Sequence, residues 1–231
     1  MNDWRSISLW LDQLDDPLHP RPALSGSLSV DVAIIGAGYT GLWTAYYLKQ
    51  QEPGLRIAIV EAEIAGFGAS GRNGGWLMGG ILGENRLLAG LPLEQRQAGY
   101  DLLHGIPDEV GRVIAQENIA CDYRKGGALY CAARYPEQLH SLQEQLKALR
   151  HAGLGSQYYR WLDAPQLSER LRIANGHGAI FTPHVATIQP AKLVCGLADC
   201  VERMGVQLFE GSRVVDWQPG LLRTTAGEIR A

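Results

Sequence analysis

Short apolar runs alternate with amphipathic stretches along this chain, and their order predicts an α/β fold. Val30 to Ile35 reads as a buried strand. Thr40 to Gln50 reads as a helix, with Leu42, Ala45, Tyr46 and Leu48 available for burial. A second buried strand, Leu55 to Val60, follows the turn at Pro53-Gly54. A strand–helix–strand crossover implies parallel strands. Residues 92–118 are mostly helix-forming, with Pro107 as a break or kink. Ala128 to Ala133 predicts a strand. Pro136 to His151 places Leu139, Leu142, Leu146 and Leu149 at helical spacing, with Gly153 just past its end. Ala164 to Leu171 predicts a short helix, and Ala179 to Ile188 an extended stretch that Pro183 marks as an edge or irregular strand. Pro190 to Met204 predicts a helix stopped by Gly205. Strands follow at Val206 to Phe209 and around Val214 and Val215, then a hairpin from Leu221 to Ile229 turning at Ala226-Gly227.

Residues 1–27 carry Trp4, Trp10, Pro17, Pro20 and Pro22 and read as an arm packed on the surface without a sheet of its own. The last hairpin reaches Ala231 with no strand after it, so the sheet is expected to be cut there. Val206, Leu208, Val214 and Val215 are then expected to be less covered than the first two strands.

Composition excludes several classes. With 46% hydrophobic and 19% charged residues the chain is an ordinary globular sequence. A net charge of −3 gives no electrostatic case for nucleic acid or an anionic membrane. No apolar run approaches the roughly 20 residues needed to span a bilayer. The N-terminus lacks the basic start and apolar block of a secretory signal, so a cytoplasmic location is expected. Cys195 and Cys200 lie five apart and Cys121 and Cys131 ten apart, without the C-x-x-C spacing of a zinc or redox site. No metal is expected.

Glycine is unevenly spread. Gly36-Ala37-Gly38-Tyr39-Thr40-Gly41 follows a strand and opens a helix, the context that gives a G-x-G-x-x-G match weight. Gly36 permits the tight turn, Gly38 lets a pyrophosphate approach backbone, and Gly41 lets helix pack on strand. Helix amides and the positive end of the macrodipole then face phosphate. Glu61 ends the second strand, twenty positions after Gly41, where a carboxylate can accept from ribose hydroxyls and disfavours NADP.

That unit alone leaves NAD and FAD open. A second run, Gly66-Phe67-Gly68-Ala69-Ser70-Gly71-Arg72-Asn73-Gly74-Gly75-Trp76, follows at once. Small residues there let backbone N–H groups reach the polar edge of a flavin, and Ser70, Arg72 and Asn73 can add side-chain hydrogen bonds. The run points to FAD.

The strings DVAIIGAGYTGLWTAYYL, IAIVEA and GFGASGRNGGW resemble the N-terminal part of the FAD-dependent amine and amino-acid oxidoreductases of the D-amino-acid oxidase, glycine oxidase and sarcosine oxidase type. ASGRNGG is most similar to the branch containing gamma-glutamylputrescine oxidase. The resemblance continues through KGGALYCAA, WLDAPQL and IQPAKLVCGLADCVERMGVQLFEGSRVV, and so covers about residues 28–231. It implies a Rossmann-like βαβ FAD-binding domain with an inserted α+β substrate domain, truncated at its C-terminus. The implied layout is an arm over 1–27, FAD-binding parts over 28–90 and 186–231, and a helical segment with partial substrate domain over 91–185. By the same resemblance Gly36, Gly38, Tyr39, Thr40 and Gly41 would line the pyrophosphate. Glu61 and Ala62 would face the adenosine, with Val214 at the adenine. Ser70, Gly71, Arg72, Asn73, Gly74 and Gly75 would run beside the ribityl chain and ring. The implied partners are a small amine or amino acid, and oxygen or an electron carrier as acceptor. The family is nearly twice this length, which leaves catalysis by this chain open.

Arg72 is the candidate charged group near the ring, binding substrate or stabilising anionic reduced flavin, or else a side chain on an exposed loop. His177 and His184 flank a strand of the substrate sheet and read as structural. Two alternatives stand beside the flavoenzyme: a nicotinamide-linked dehydrogenase, and a non-catalytic FAD-binding fragment.

Overall fold

The computed structural model describes residues 3–15 and 18–231 and divides them into two units. The first holds the residues up to Gly75 together with Ile114–Asp122 and Gln189–Ala231; the second holds Trp76–Val113 and Tyr123–Ile188. Pro17, read as part of the arm, lies outside the described residues. This division differs from the boundaries expected after residues 90 and 185.

In the first unit the strands Gln207–Phe209, Ile57–Val60 and Val32–Ile35 form a parallel sheet in that order. Ile57–Val60 is central and buried throughout, as expected of a strand covered on both faces. The helix Tyr39–Gln51 connects the other two elements of the crossover and turns Leu42, Ala45 and Tyr46 inward. A second helix, Pro190–Arg203, packs against it and buries Leu193, Val194, Leu197 and Val201. It ends before Gly205, whose φ of +88° is the left-handed conformation that closes helices.

The unit's other sheet runs Gly26–Ser29, Gly227–Arg230, Leu221–Thr224, Val214–Gln218. Its first pair is parallel and the others antiparallel. The arm therefore does enter a sheet: Gly26 pairs with Gly227 and Ser29 with Arg230. The expectation that residues 1–27 have none is corrected. Gly-Ser-Leu-Ser carries no apolar run, and its partner strand lies at the opposite end of the chain, so no local pattern announces the pairing. Closer to the N-terminus, Ser8 Oγ accepts the Leu11 amide and caps the one-turn helix Leu9–Asp12, with Leu11 fully buried. Leu24, Val30, Ala58, Val60, Leu222 and Ile229 form one core that joins the two sheets.

Coverage of the late strands departs from expectation. Val206 and Leu208 are each only 4% exposed. The reason is that Gln207–Phe209 lies beside the central strand and against the helix Pro190–Arg203. Val214 is half-buried, and Val215 is exposed at an irregularity in the pairing between Val214 and Asp216. Val32–Ile35 is the less covered strand, with Ile35 exposed.

The second unit has two three-stranded antiparallel sheets. One orders Trp76–Met78, Val185–Thr187, Arg124–Lys125; the other orders Ala128–Ala132, Gly178–Thr182, Arg160–Asp163. Gly178–Thr182 and Val185–Thr187 are thus both central, so the edge alternative for 179–188 is corrected, while the irregular one agrees with the break at Pro183. Pro183 falls between the strands, where its missing N–H interrupts no ladder. The helices Leu93–His104 and Ile106–Gln116 break at Gly105, two residues before the proline expected to mark the break. Pro107 sits in the first turn of the following helix, where a missing N–H costs nothing.

The helix Pro136–His151 matches its predicted span, with Leu146 buried and Gly153 at φ +95°. Leu88, Tyr100, Leu154 and Tyr158 form a core cluster in this unit. Beside it His104 is fully buried, with Nδ1 2.9 Å from the Tyr100 carbonyl and Nε2 3.4 Å from the Tyr159 hydroxyl. Burial holds its pKa below the usual histidine value, and nearby His184 adds to the effect. The folded state therefore keeps His104 neutral, while the unfolded chain takes a proton near about pH 6.5. Its contribution is present above that pH and lost as pH falls. Thermal melts from pH 7 to pH 5 should show Tm falling, and His104→Gln should flatten part of that slope. An identical slope in the variant would rule this out.

Candidate functional site

The first unit brings both glycine segments together. Gly36 has φ +96°, and its amide donates to the Val60 carbonyl at 2.8 Å, so the turn is tied to the neighbouring strand. A Cβ on Gly41 would stand 2.1 Å from the Gly36 carbonyl oxygen and 3.2 Å from Ile34 Cγ2. Only glycine lets the helix approach the strand this closely. Gly38 is the N-cap of the helix Tyr39–Gln51. First-turn amides have no acceptor within their helix. The Tyr39 amide is met by Ser70 Oγ at 2.9 Å, so the second segment caps the helix opened by the first.

A further bond locks the two segments. The Gly66 amide donates to the Ala37 carbonyl at 3.0 Å, and the Gly66 carbonyl accepts from the Gly71 amide at 2.9 Å. Gly66 has φ +76°, and a Cβ there would lie 2.2 Å from Val194 Cγ1. Within the loop, Asn73 Nδ2 donates to the Ser70 carbonyl at 3.0 Å while its Oδ1 accepts from the Gly75 amide at 2.8 Å. Asn73 thus shapes the turn from Ser70 to Gly75. Arg72 is exposed, 5.0 Å above the Phe67 ring, with Nε 3.3 Å from the Gly68 carbonyl.

Glu61 follows the central strand, as its spacing predicts. Its Oε2 accepts the Ala37 amide at 2.9 Å and its Oε1 the Glu63 amide at 3.0 Å. An ionised carboxylate offers about four acceptor sites, so two amides leave capacity for hydroxyl donors. Backbone bonds set the adjoining segment: the Glu61 amide donates to the Phe209 carbonyl at 2.8 Å, and the Ser212 amide to the Glu61 carbonyl at 2.7 Å. Ala62 and Val214, both half-buried, lie one and two residues beyond these bonded positions. Arg213 reaches Glu63 at 3.2 Å across the same two segments. Gly36, Gly38, Tyr39, Gly41, Glu61 and Ser70 are thus drawn into one constellation, with Thr40 exposed at its margin. A glycine turn with Gly36 in the left-handed region, a helix N-terminus and a carboxylate beside them fit the pyrophosphate and ribose of a dinucleotide.

Tyr39 also spans from this turn to the other helix, its hydroxyl donating to the Pro190 carbonyl at 3.0 Å. Burial raises its pKa. Glu63, Gly66 and Ser212 are parts that sequence reasoning did not single out for the site. For Gly66 the signal was present, as the first glycine of the second run. Glu63 and Ser212 meet Glu61 through their backbone amides, which any residue type could supply.

In the second unit, both ring nitrogens of His184 face backbone carbonyls, Nδ1 that of His104 and Nε2 that of Gln157, each at 3.1 Å. Its ring is engaged in holding loops, the structural reading. The His177 amide donates to the Ala132 carbonyl at 2.8 Å. No helix among the described residues is long and apolar enough to cross a membrane.

Comparison with known proteins fits this geometry. The chain is 32% identical over 222 residues to gamma-glutamylputrescine oxidoreductase of Escherichia coli (strain K12), covering 92% of this chain and 49% of that protein. Among solved structures, glycine oxidase from Geobacillus kaustophilus superposes with a TM-score of 0.67 at 24% identity, over 88% of this chain and 54% of that one. L-Amino acid deaminase from Proteus vulgaris gives 0.66 at 23%, over 92% and 48%. The two structures establish likeness of fold, and the chain spans about half the length of these relatives. The nicotinamide-linked alternative is set aside, because the family profile described as FAD dependent oxidoreductase matches residues 31–231. The chain belongs to the family of FAD dependent oxidoreductases.

Proposed function

We propose that this chain contributes the FAD-binding part of an enzyme that oxidises the C–N bond of a small amine or amino acid. The observation that carries the reading is the direct bonding of the two glycine segments, Gly66 to Ala37 and Ser70 to Tyr39. Such an arrangement suits a ligand that runs from an adenosine, through a pyrophosphate, to a ring system. In this reading Gly36, Gly38, Tyr39, Thr40 and Gly41 hold the pyrophosphate. Glu61 and Ala62 hold the adenosine ribose, and Val214 meets the adenine through its backbone. Ser70, Gly71, Asn73, Gly74 and Gly75 flank the ribityl chain and ring. Arg72 is the candidate group for the substrate carboxylate or for negative charge on the ring; its exposure leaves it free to reorient.

When bound, FAD supplies the two-electron oxidation that turns an amine into an imine, with oxygen or an electron carrier taking the electrons onward. The residues named here bind and orient. Four cysteines in a chain of 231 residues fit a reducing compartment, and we place the protein in the cytoplasm. The test is to load the chain with FAD and mix it anaerobically with a panel of amines, amino acids and hydroxy acids. Bleaching of the flavin's visible band by a nitrogen-bearing substrate is the expected result. Bleaching by hydroxy acids alone would contradict the proposed substrate class.

A further inference from the structure

Glu210 is a carboxylate only 2% exposed, just after the strand Gln207–Phe209. A charge this deep persists only if it is paired and its oxygens are met. Both conditions hold. Oε1 accepts the Ala65 amide at 2.8 Å and Arg21 Nη1 at 3.0 Å, and Oε2 accepts the Arg21 amide at 2.7 Å. Arg21 is itself fixed: Nε donates to Glu202 at 2.6 Å and Nη2 to Asp199 at 2.5 Å. Each nitrogen of the guanidinium meets a carboxylate, so the pair is held from the arm and from the helix Pro190–Arg203 at once.

The bond to Ala65 is the consequential one. Ala65 immediately precedes Gly66, whose amide and carbonyl hold Ala37 and Gly71. The second glycine segment is therefore pinned at successive peptide groups, and the first of these pins is a buried charge. Ala65 is buried, and removing the carboxylate takes away the acceptor that its amide has in the fold.

We propose that Glu210, held by Arg21, is a positioning residue for the flavin-side loop. It sets where the segment from Ala65 to Gly71 begins, and through it how Ser70 to Gly75 present themselves to the cofactor. This rests on the reading that Ser70 to Gly75 flank the ribityl chain and ring, while Glu61 and Val214 serve the adenosine. A defect at Ala65 should then fall on the flavin half of the ligand and spare the ADP half.

The experiment is parallel titration of the full chain with FAD and with ADP, for wild type, Glu210→Ala and Glu210→Gln. If wild type binds neither ligand, the cofactor reading fails and takes this inference with it. With wild-type binding in hand, Glu210→Ala should weaken FAD about ten- to a hundredfold while ADP affinity moves by less than about threefold. Glu210→Gln, whose amide oxygen can still accept from the Ala65 N–H, should recover most of the lost FAD affinity. Equal losses for the two ligands, or no loss for FAD, would overturn the proposal while leaving the cofactor reading intact. Should Glu210→Ala fail to fold, Arg21→Gln reads the same split, because it removes the guanidinium that meets Oε1 while the backbone amide of residue 21 on Oε2 and the carboxylate itself remain.

Discussion

Gly41→Ala is expected to lower both FAD affinity and thermal stability, the larger change for any single methyl added to this chain's cofactor turn. The added Cβ would stand 2.1 Å from the Gly36 carbonyl oxygen, which is backbone and cannot swing aside. Either the helix Tyr39–Gln51 moves off the strand or the turn opens, and both displace the amides that face the phosphates. Overpacking of this kind costs about 1–3 kcal/mol, and more where backbone must move. For a domain of this size that corresponds to roughly 2–12 °C in Tm. FAD affinity should fall by about tenfold or more. Gly90→Ala is the control: its Cβ meets nothing within 4 Å, and its Tm should change by no more than about 2 °C. Melting curves and FAD titrations of the two variants decide the matter. Equal behaviour would mean that the close approach at Gly41 is not what shapes the site.

Glu61→Arg should weaken FAD and ADP together. The carboxylate now steadies the turn through the Ala37 amide and the following residues through the Glu63 amide. Its remaining acceptor sites are the ones available to ribose hydroxyls. Losing hydrogen bonds to a charged acceptor costs about 1.5–3 kcal/mol each, or about ten- to a hundredfold in affinity. Glu61→Gln keeps one carbonyl acceptor and should lose less. The joint fall of FAD and ADP separates this residue from Glu210, where the two ligands should part. If Glu61→Arg bound ADP as tightly as wild type, the ribose would have to lie elsewhere.

The crossover was legible because its requirements are local. A turn at φ +96°, a helix pressed on a strand and a carboxylate at the next strand's end each demand one residue type at one spacing. Gly36, Gly41 and Glu61 meet those demands within thirty residues of chain. The second glycine run was legible for the same reason, although its capping of the helix through Ser70 was not. What sequence did not show depends on partners far along the chain. Gly26–Ser29 becomes a strand only because Gly227–Arg230 lies beside it. Arg21 and Glu210 are a charged arm residue and a charged residue after a strand until folding sets them 3.0 Å apart. Pro183 marked the irregularity but not the position in the sheet. Proline marks a place where a ladder cannot run, and two central strands met that condition by stopping on either side of it.

The measurement that bears most directly on the account is equilibrium titration of the chain with FAD and NAD side by side, followed by competition with ADP. Saturable binding of FAD, displaced by ADP and not by NAD, is the predicted result. Preference for NAD, or FAD binding that excess ADP leaves untouched, would contradict it.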